Sequence, residues 1–155
     1  MKKGFTMIEL LVAIGLFIVV ISVSSGIFIK SLRTQRQIVS LMAANDNASL
    51  ALEQIIREIR TGRDFSSGKS QLSFTNYLEE SVVYELDSNS IKRNGKSITA
   101  SNVNVVYFNI SLLGERLNDG RSTRVTISLG ISAKGALESF VTNLQTTVSA
   151  RTIDS

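Results

Sequence analysis

The chain of 155 residues has no cysteine, no histidine, no proline and no tryptophan. Each absence removes a class of chemistry. Without cysteine there is no disulfide, no thiol nucleophile and no side chain for a cysteine-linked lipid anchor. Without histidine, the commonest general base and the commonest transition-metal ligand are missing together. Serine is plentiful, yet no G-x-S-x-G nucleophile elbow occurs. Asn118-Asp119-Gly120 is a turn signature far short of a calcium-binding loop. The expectation is therefore a protein that is not an enzyme and carries no cofactor or metal.

Charge is scarce in one place. Between residues 5 and 29 the only ionisable side chain is Glu9, and the other polar ones are Thr6, Ser22, Ser24 and Ser25. The formal net charge of +4 belongs to the flanks of this run. Lys2, Lys3, Lys30, Arg33 and Arg36 stand against Glu9 alone, and from residue 37 onward twelve cations face twelve acids. Cations placed this way sit at lipid headgroups, so the basic balance reads as a membrane flank in preference to a nucleic-acid footprint.

As a helix the 25-residue run spans about 37 Å, enough for a hydrocarbon core of roughly 30 Å. The apolar part of a secretory signal peptide is shorter, about 7–15 residues. A plain signal anchor explains the length and the cations but leaves Glu9 unexplained. A charge inside a membrane segment costs roughly 2.5–3.5 kcal/mol at the centre and marks function more often than accident.

The residues around that charge are Met1-Lys2-Lys3-Gly4-Phe5-Thr6-Met7-Ile8-Glu9-Leu10-Leu11. They resemble the processing site of type IV prepilins and pseudopilins: a short basic leader ending in Gly, then Phe-Thr, an aliphatic residue and Ile-Glu-Leu. The resemblance implies cleavage by a prepilin peptidase between Gly4 and Phe5, N-methylation of Phe5, and an assembly role for Glu9. It also implies a leader in the cytoplasm, one pass of the cytoplasmic membrane, and a globular domain outside it that enters a filament. The flanking cations do not give that orientation, because Lys30, Arg33 and Arg36 outnumber Lys2 and Lys3. In a fibre, the Phe5 amine of one subunit can meet the Glu9 carboxylate of the next. Leaving either charge unpaired in an apolar core is costly, so the pair favours one docking register.

Beyond Lys30 the helical pattern continues. Leu41, Ala44, Ala48, Leu52, Ile55 and Ile59 recur at spacings of three or four, an apolar stripe that predicts packing on a sheet. Arg57, Arg60 and Arg63 around Thr61-Gly62 mark its end. The helix then runs from Phe5 to about Thr61, roughly 85 Å, with Gly15 and Gly26 as weak points. Residues 63–70 read as a loop. Strands follow at 71–75, 81–86, 91–93, 97–99, 103–113, 121–132 and about 138–151, with Asn94-Gly95 a type I′ hairpin turn. The expected fold is α+β: a long N-terminal helix, transmembrane in its first half, packed on an antiparallel sheet of about five to seven strands, as in pilins. The expected organisation is a leader at 1–4, a membrane segment at 5–29 and a globular domain at 30–155.

Residues 47–60 and 144–151 are similar to the helix end and final strand of W-type minor pilins and J-type pseudopilins. The reading is thus a minor pilin or pseudopilin of a type IV pilus or type II secretion-like filament. Its partners would be other pilin subunits, a prepilin peptidase, an assembly platform and membrane lipid. Alternatives are an adhesin or DNA-binding subunit, a major pilin, or a simple signal-anchored protein. For nucleic acid, the densest cation group of the C-terminal part is Lys92, Arg93 and Lys96 around the Asn94-Gly95 turn.

Overall fold

A computed structural model describes residues 4–114, 122–134 and 140–151. The chain divides into two compact units, Met1–Val39 and Ser40–Ser155. Helix α1 (Met7–Arg60) contributes to both.

In the first unit the described residues are exposed almost throughout, large aliphatic side chains included. The helix is apolar all round, so no stripe selects a packing face, and such a helix is stable only in an apolar surrounding. It is long and apolar enough to cross a membrane. Gly15 and Gly26 do not interrupt it, and open space surrounds both. The Ser22 hydroxyl donates to the Ile18 carbonyl at 2.8 Å, so the polar group is satisfied within its own helix. Residues 30–39, assigned from sequence to the globular domain, fall in this unit.

The second unit is built on the remainder of α1. Ala44, Ala48, Ala51, Leu52, Ile55 and Ile59 are buried, the expected stripe with Ala51 added and Leu41 left half-buried at its margin. At the helix end, the Arg60 carbonyl accepts from the Arg151 N–H at 2.9 Å, satisfying a group that has no intrahelical partner.

Among the described residues there are eight strands in two antiparallel sheets, which corrects the single sheet expected from sequence. The first has the order β1 (Arg63–Gly68), β2 (Gln71–Thr75), β3 (Ser81–Asp87), β4 (Ser90–Arg93) and β5 (Lys96–Ser97). The second has the order β6 (Val103–Leu113), β7 (Arg124–Ala133) and β8 (Thr142–Ser149). Side chains from α1 and from both sheets meet in one core that includes Tyr84, Phe108, Ile127 and Leu129.

Residues 63–70 form strand β1, its turn and the start of β2's hairpin; they are not a loop. Their Ser and Gly content reads as loop, but the Phe65 ring is buried and stacks on Phe74 at 5.3 Å, and Phe74 stacks on Tyr84 at 6.1 Å. This aromatic row across β1, β2 and β3 holds a strand whose other side chains are exposed. Asn94 and Gly95 have φ of 48° and 79°, the two left-handed residues of a type I′ turn. Ser88 and Asn89, at 51° and 59°, make the same kind of turn between β3 and β4. The Asn118-Asp119-Gly120 turn lies outside the described residues.

β6 is hydrogen-bonded to the β3–β4 turn of the first sheet: the Val105 N–H donates to the Asn89 carbonyl at 2.9 Å and the Asn89 side-chain amide donates to the Val105 carbonyl at 3.2 Å. Immediately afterwards the β6–β7 register slips between Val105 and Tyr107, leaving Val106 without a partner. Such a bulge bends a strand and increases its twist.

Candidate processing and assembly site

Gly4, Phe5 and Thr6 precede the helix, and Phe5 is 81% exposed. The chain turns helical at Met7 through a reciprocal pair of contacts. The Glu9 N–H donates to the Thr6 hydroxyl oxygen at 3.3 Å, while the Thr6 N–H and hydroxyl both donate to Glu9 Oε2 at 2.9 Å. This is a capping box: the N-cap hydroxyl satisfies an orphan helix N–H, and the carboxylate three residues on satisfies the cap's own N–H. A carboxylate in the first turn also faces the positive end of the helix dipole. The signal, Thr6-Met7-Ile8-Glu9 ahead of an apolar run, stands in the sequence; the reading of Glu9 as an intramembrane charge passed over it.

Two consequences follow for the sequence-predicted residues. The Gly4–Phe5 peptide lies outside the helix, two residues ahead of the first helical one, so no helical hydrogen bond shields it from a peptidase. The group that Glu9 holds in the uncut chain is Thr6, and only Oε2 is used; Oε1 has no partner among the described residues.

The cation group at the β4–β5 turn is arranged differently from a free basic patch. Lys92 pairs with Asp87 across β3 and β4. The Lys92 ammonium, followed by the Ser88 hydroxyl, holds the Asp87 carboxyl below the usual carboxylate range. Arg93 Nε donates to both carboxylate oxygens of Glu58 on α1, at 3.0 and 3.1 Å. Lys96 alone has no carboxylate partner among the described residues. Arg93 and Lys96, with Glu58, border an open groove of about 390 Å³ that Gln54, Ser97 and Ile98 complete. Beneath it the buried Tyr84 hydroxyl lies near Glu58 and Arg93 yet makes no hydrogen bond of normal geometry.

An S-x-x-K signature, not expected from sequence, is matched in spacing by Ser66-Ser67-Gly68-Lys69. That motif needs serine and lysine one helical turn apart; here the tetrad is the end of an edge strand and its turn, exposed to solvent. Among the described residues no group of three or more His, Cys, Asp or Glu is placed to hold a metal ion.

Residues 1–25 match the family described as the prokaryotic N-terminal methylation motif. This chain carries the type IV pilin and pseudopilin signature. The match spans the processing site and the first turns of the membrane-competent helix, and the motif implies a prepilin-peptidase substrate that assembles with other pilin subunits. The family that bears it is structural. No curated protein and no solved structure matches the chain. Together the motif and the apolar helix mark a membrane-anchored, pilin-like protein with an α+β fold.

Proposed function

We propose that this chain is a minor pilin or pseudopilin, cut between Gly4 and Phe5, methylated on Phe5, and assembled through its N-terminal helix. The observation that carries the reading is the methylation motif at residues 1–25 on a helix able to cross a membrane. The leader faces the cytoplasm, the second unit lies on the other side, and assembly draws the helix out of lipid into a fibre core. Glu9 acts at that step. Its free Oε1 accepts the cationic Phe5 amine of a neighbouring subunit while Oε2 keeps Thr6, so capping and subunit pairing use different oxygens of one carboxylate. A nucleic-acid role is less well supported, because two of the three cations around the β4–β5 turn already face carboxylates and a phosphate backbone needs several free ones.

Two measurements test this. Mass analysis of the protein from its native membrane is expected to show an N-terminus at Phe5 carrying one methyl group; a start near Gly26 would mean cleavage by an ordinary signal peptidase and end the proposal. Glu9→Val is expected to insert and be cut normally, yet to be lost from sheared fibres and from co-purified partner subunits. Incorporation equal to wild type would remove the assembly role from Glu9.

A further inference from the structure

The three-stranded sheet has a face that the assembly proposal does not use. Side chains alternate along a strand, and Phe108, Val125, Ile127, Leu129, Ile131 and Val148 take the buried side. The register then sets the opposite side in rows: Tyr107, Gly130 and Asn143; Asn109, Ser128 and Gln145; Ser111, Thr126 and Thr147. Every side chain in these rows is uncharged and able to hydrogen-bond. The charged residue on the strands of this face is Arg124, at one end.

The first row is built around a ring. Tyr107 reaches from β6 across β7, and its hydroxyl donates to Asn143 Oδ1 on β8 at 2.9 Å. Two inter-strand steps are about 9.6 Å, a span that tyrosine and asparagine side chains bridge only when the ring lies along the sheet. Gly130 makes room for it: a Cβ there would stand 2.2 Å from Tyr107 Cε1 and 2.5 Å from Cδ1. One ring face is thus laid over Gly130, the hydroxyl is tethered, and the ring remains partly open to solvent. Beside it, the side-chain amides of Asn109 and Gln145 are exposed and have no partner among the described residues, and the Asn143 amide nitrogen remains a free donor.

We propose that this face binds a neutral glycan, with Tyr107 as the stacking platform and Asn109, Asn143 and Gln145 as the hydrogen-bonding rim. A sugar ring offers an apolar C–H face and a rim of hydroxyls that each donate and accept. A tethered aromatic ring flanked by amides, which also donate and accept, matches both. Electroneutrality selects the ligand class. A polyanion would need several cations where, among the described residues of these strands, Arg124 stands alone, and a protein interface core would need more aromatic and aliphatic area than the Tyr107 ring and, in the end row beside Arg124, Leu113. Because Tyr107 is tethered before any ligand arrives, little ordering cost is left for binding. The inference rests on the second unit only and is independent of the assembly proposal.

The test is co-sedimentation of the full chain, held in phospholipid nanodiscs because sugar-headed detergents would compete, with cellulose, chitin and an insoluble α-glucan, beside a sulfated polysaccharide resin. Retention is expected on at least one neutral matrix and is expected to survive about 0.5 M salt, which screens ionic contacts. Tyr107→Ala is expected to lower the retained affinity about tenfold, the scale of one lost aromatic contact. Since Tyr107→Ala also uncovers Gly130, the double variant Asn109→Ala/Gln145→Ala, confined to exposed side chains, is the second arm and is expected to weaken retention about tenfold as well, with circular dichroism unchanged. Four results would each overturn the proposal: no retention on any neutral matrix, retention unaffected in both variants, retention only on the sulfated resin, or sugar-independent self-association abolished by the same variants.

Discussion

Isoleucine meets opposite surroundings in the two halves of one helix. Ile14, Ile18 and Ile21 are about half exposed, at 48%, 59% and 48%, while Ile55 and Ile59 are fully buried. Residue type is the same and helix propensity is nearly the same. What differs is the company: apolar neighbours on every side in the first half, and Glu53, Arg57 and Arg60 sharing the turns in the second. The first half has no face to hide and needs an apolar solvent; the second has one apolar face and needs a sheet. One helix can therefore serve two environments with no break in its helical assignment, and Gly26 does not interrupt it.

The largest expected effect sharpens this contrast. Phe108→Ala empties the place of a fully buried ring and is expected to destabilise the second unit by about 3–5 kcal/mol. Ile18→Ala removes a side chain that touches no core and is expected to move the same transition by less than about 0.5 kcal/mol. Thermal unfolding of both full-length variants in micelles, followed by circular dichroism, compares them directly. A comparable loss in Ile18→Ala would mean that the first half helps to hold the second unit together.

A smaller effect tests how α1 is fastened to the first sheet. The Glu58–Arg93 pair keeps 21% and 27% of its side-chain surface, and truncating one partner leaves the other charge half-buried. Glu58→Ala and Arg93→Ala are each expected to cost about 1–2 kcal/mol, and the double variant less than their sum, because the second truncation removes the orphaned charge. Urea midpoints of the three variants decide it; strict additivity would mean that the pair contributes nothing beyond its separate side chains. The first unit offers the local counterpart. Thr6→Ala deletes the N-cap and is expected to cost about 1 kcal/mol at the helix start alone, seen as faster amide exchange at Glu9 and Leu10 with the second unit's melting unchanged.

How much of this was legible depended on the range of the interaction that fixes each element. The helix limits, the buried stripe, the Asn94-Gly95 turn and strand β6 rest on local periodicity or turn chemistry, and the sequence states those directly. Strand β1 does not, because its anchor is Phe65 stacking on Phe74, a contact made only after the chain has turned back on itself. The division into two sheets was illegible for the same reason, since it is set by which distant strands pair; the register slip at Val105-Val106-Tyr107 likewise leaves no mark in a stretch that looks like any strand. At the processing site, Gly4, Phe5 and Glu9 stood out by their motif. Thr6 has an equally readable spacing from Glu9, but a charge in a membrane segment is the stronger signal and masks the capping box. The pairing of Arg93 with a residue 35 positions earlier needed the fold.

The smallest effect at neutral pH is the most specific. Tyr84 is buried, and its hydroxyl has no hydrogen bond of normal geometry. Removing an unsatisfied buried hydroxyl costs little, so Tyr84→Phe is expected to be within about 1 kcal/mol of wild type at pH 7. At alkaline pH the two should diverge. Burial first, and the Glu58 carboxylate second, push the Tyr84 hydroxyl well above the ordinary tyrosine range. The unfolded chain therefore releases this proton near pH 10 while the folded chain retains it. Fewer protons bound in the unfolded state means that stability falls as pH rises, by about 1.4 kcal/mol per pH unit for this one group, until the folded state also ionises. Below pH 10 the contribution is fully present. Tyr84→Phe lacks the group and loses that component of the fall, while every other side chain is common to the two proteins and cancels in the difference. Urea midpoints measured from pH 8 to 11 on the two proteins give the comparison. Parallel curves would mean that the Tyr84 hydroxyl reaches water in the folded state, and the core beneath the Glu58–Arg93 pair would then be open where the structure has it closed.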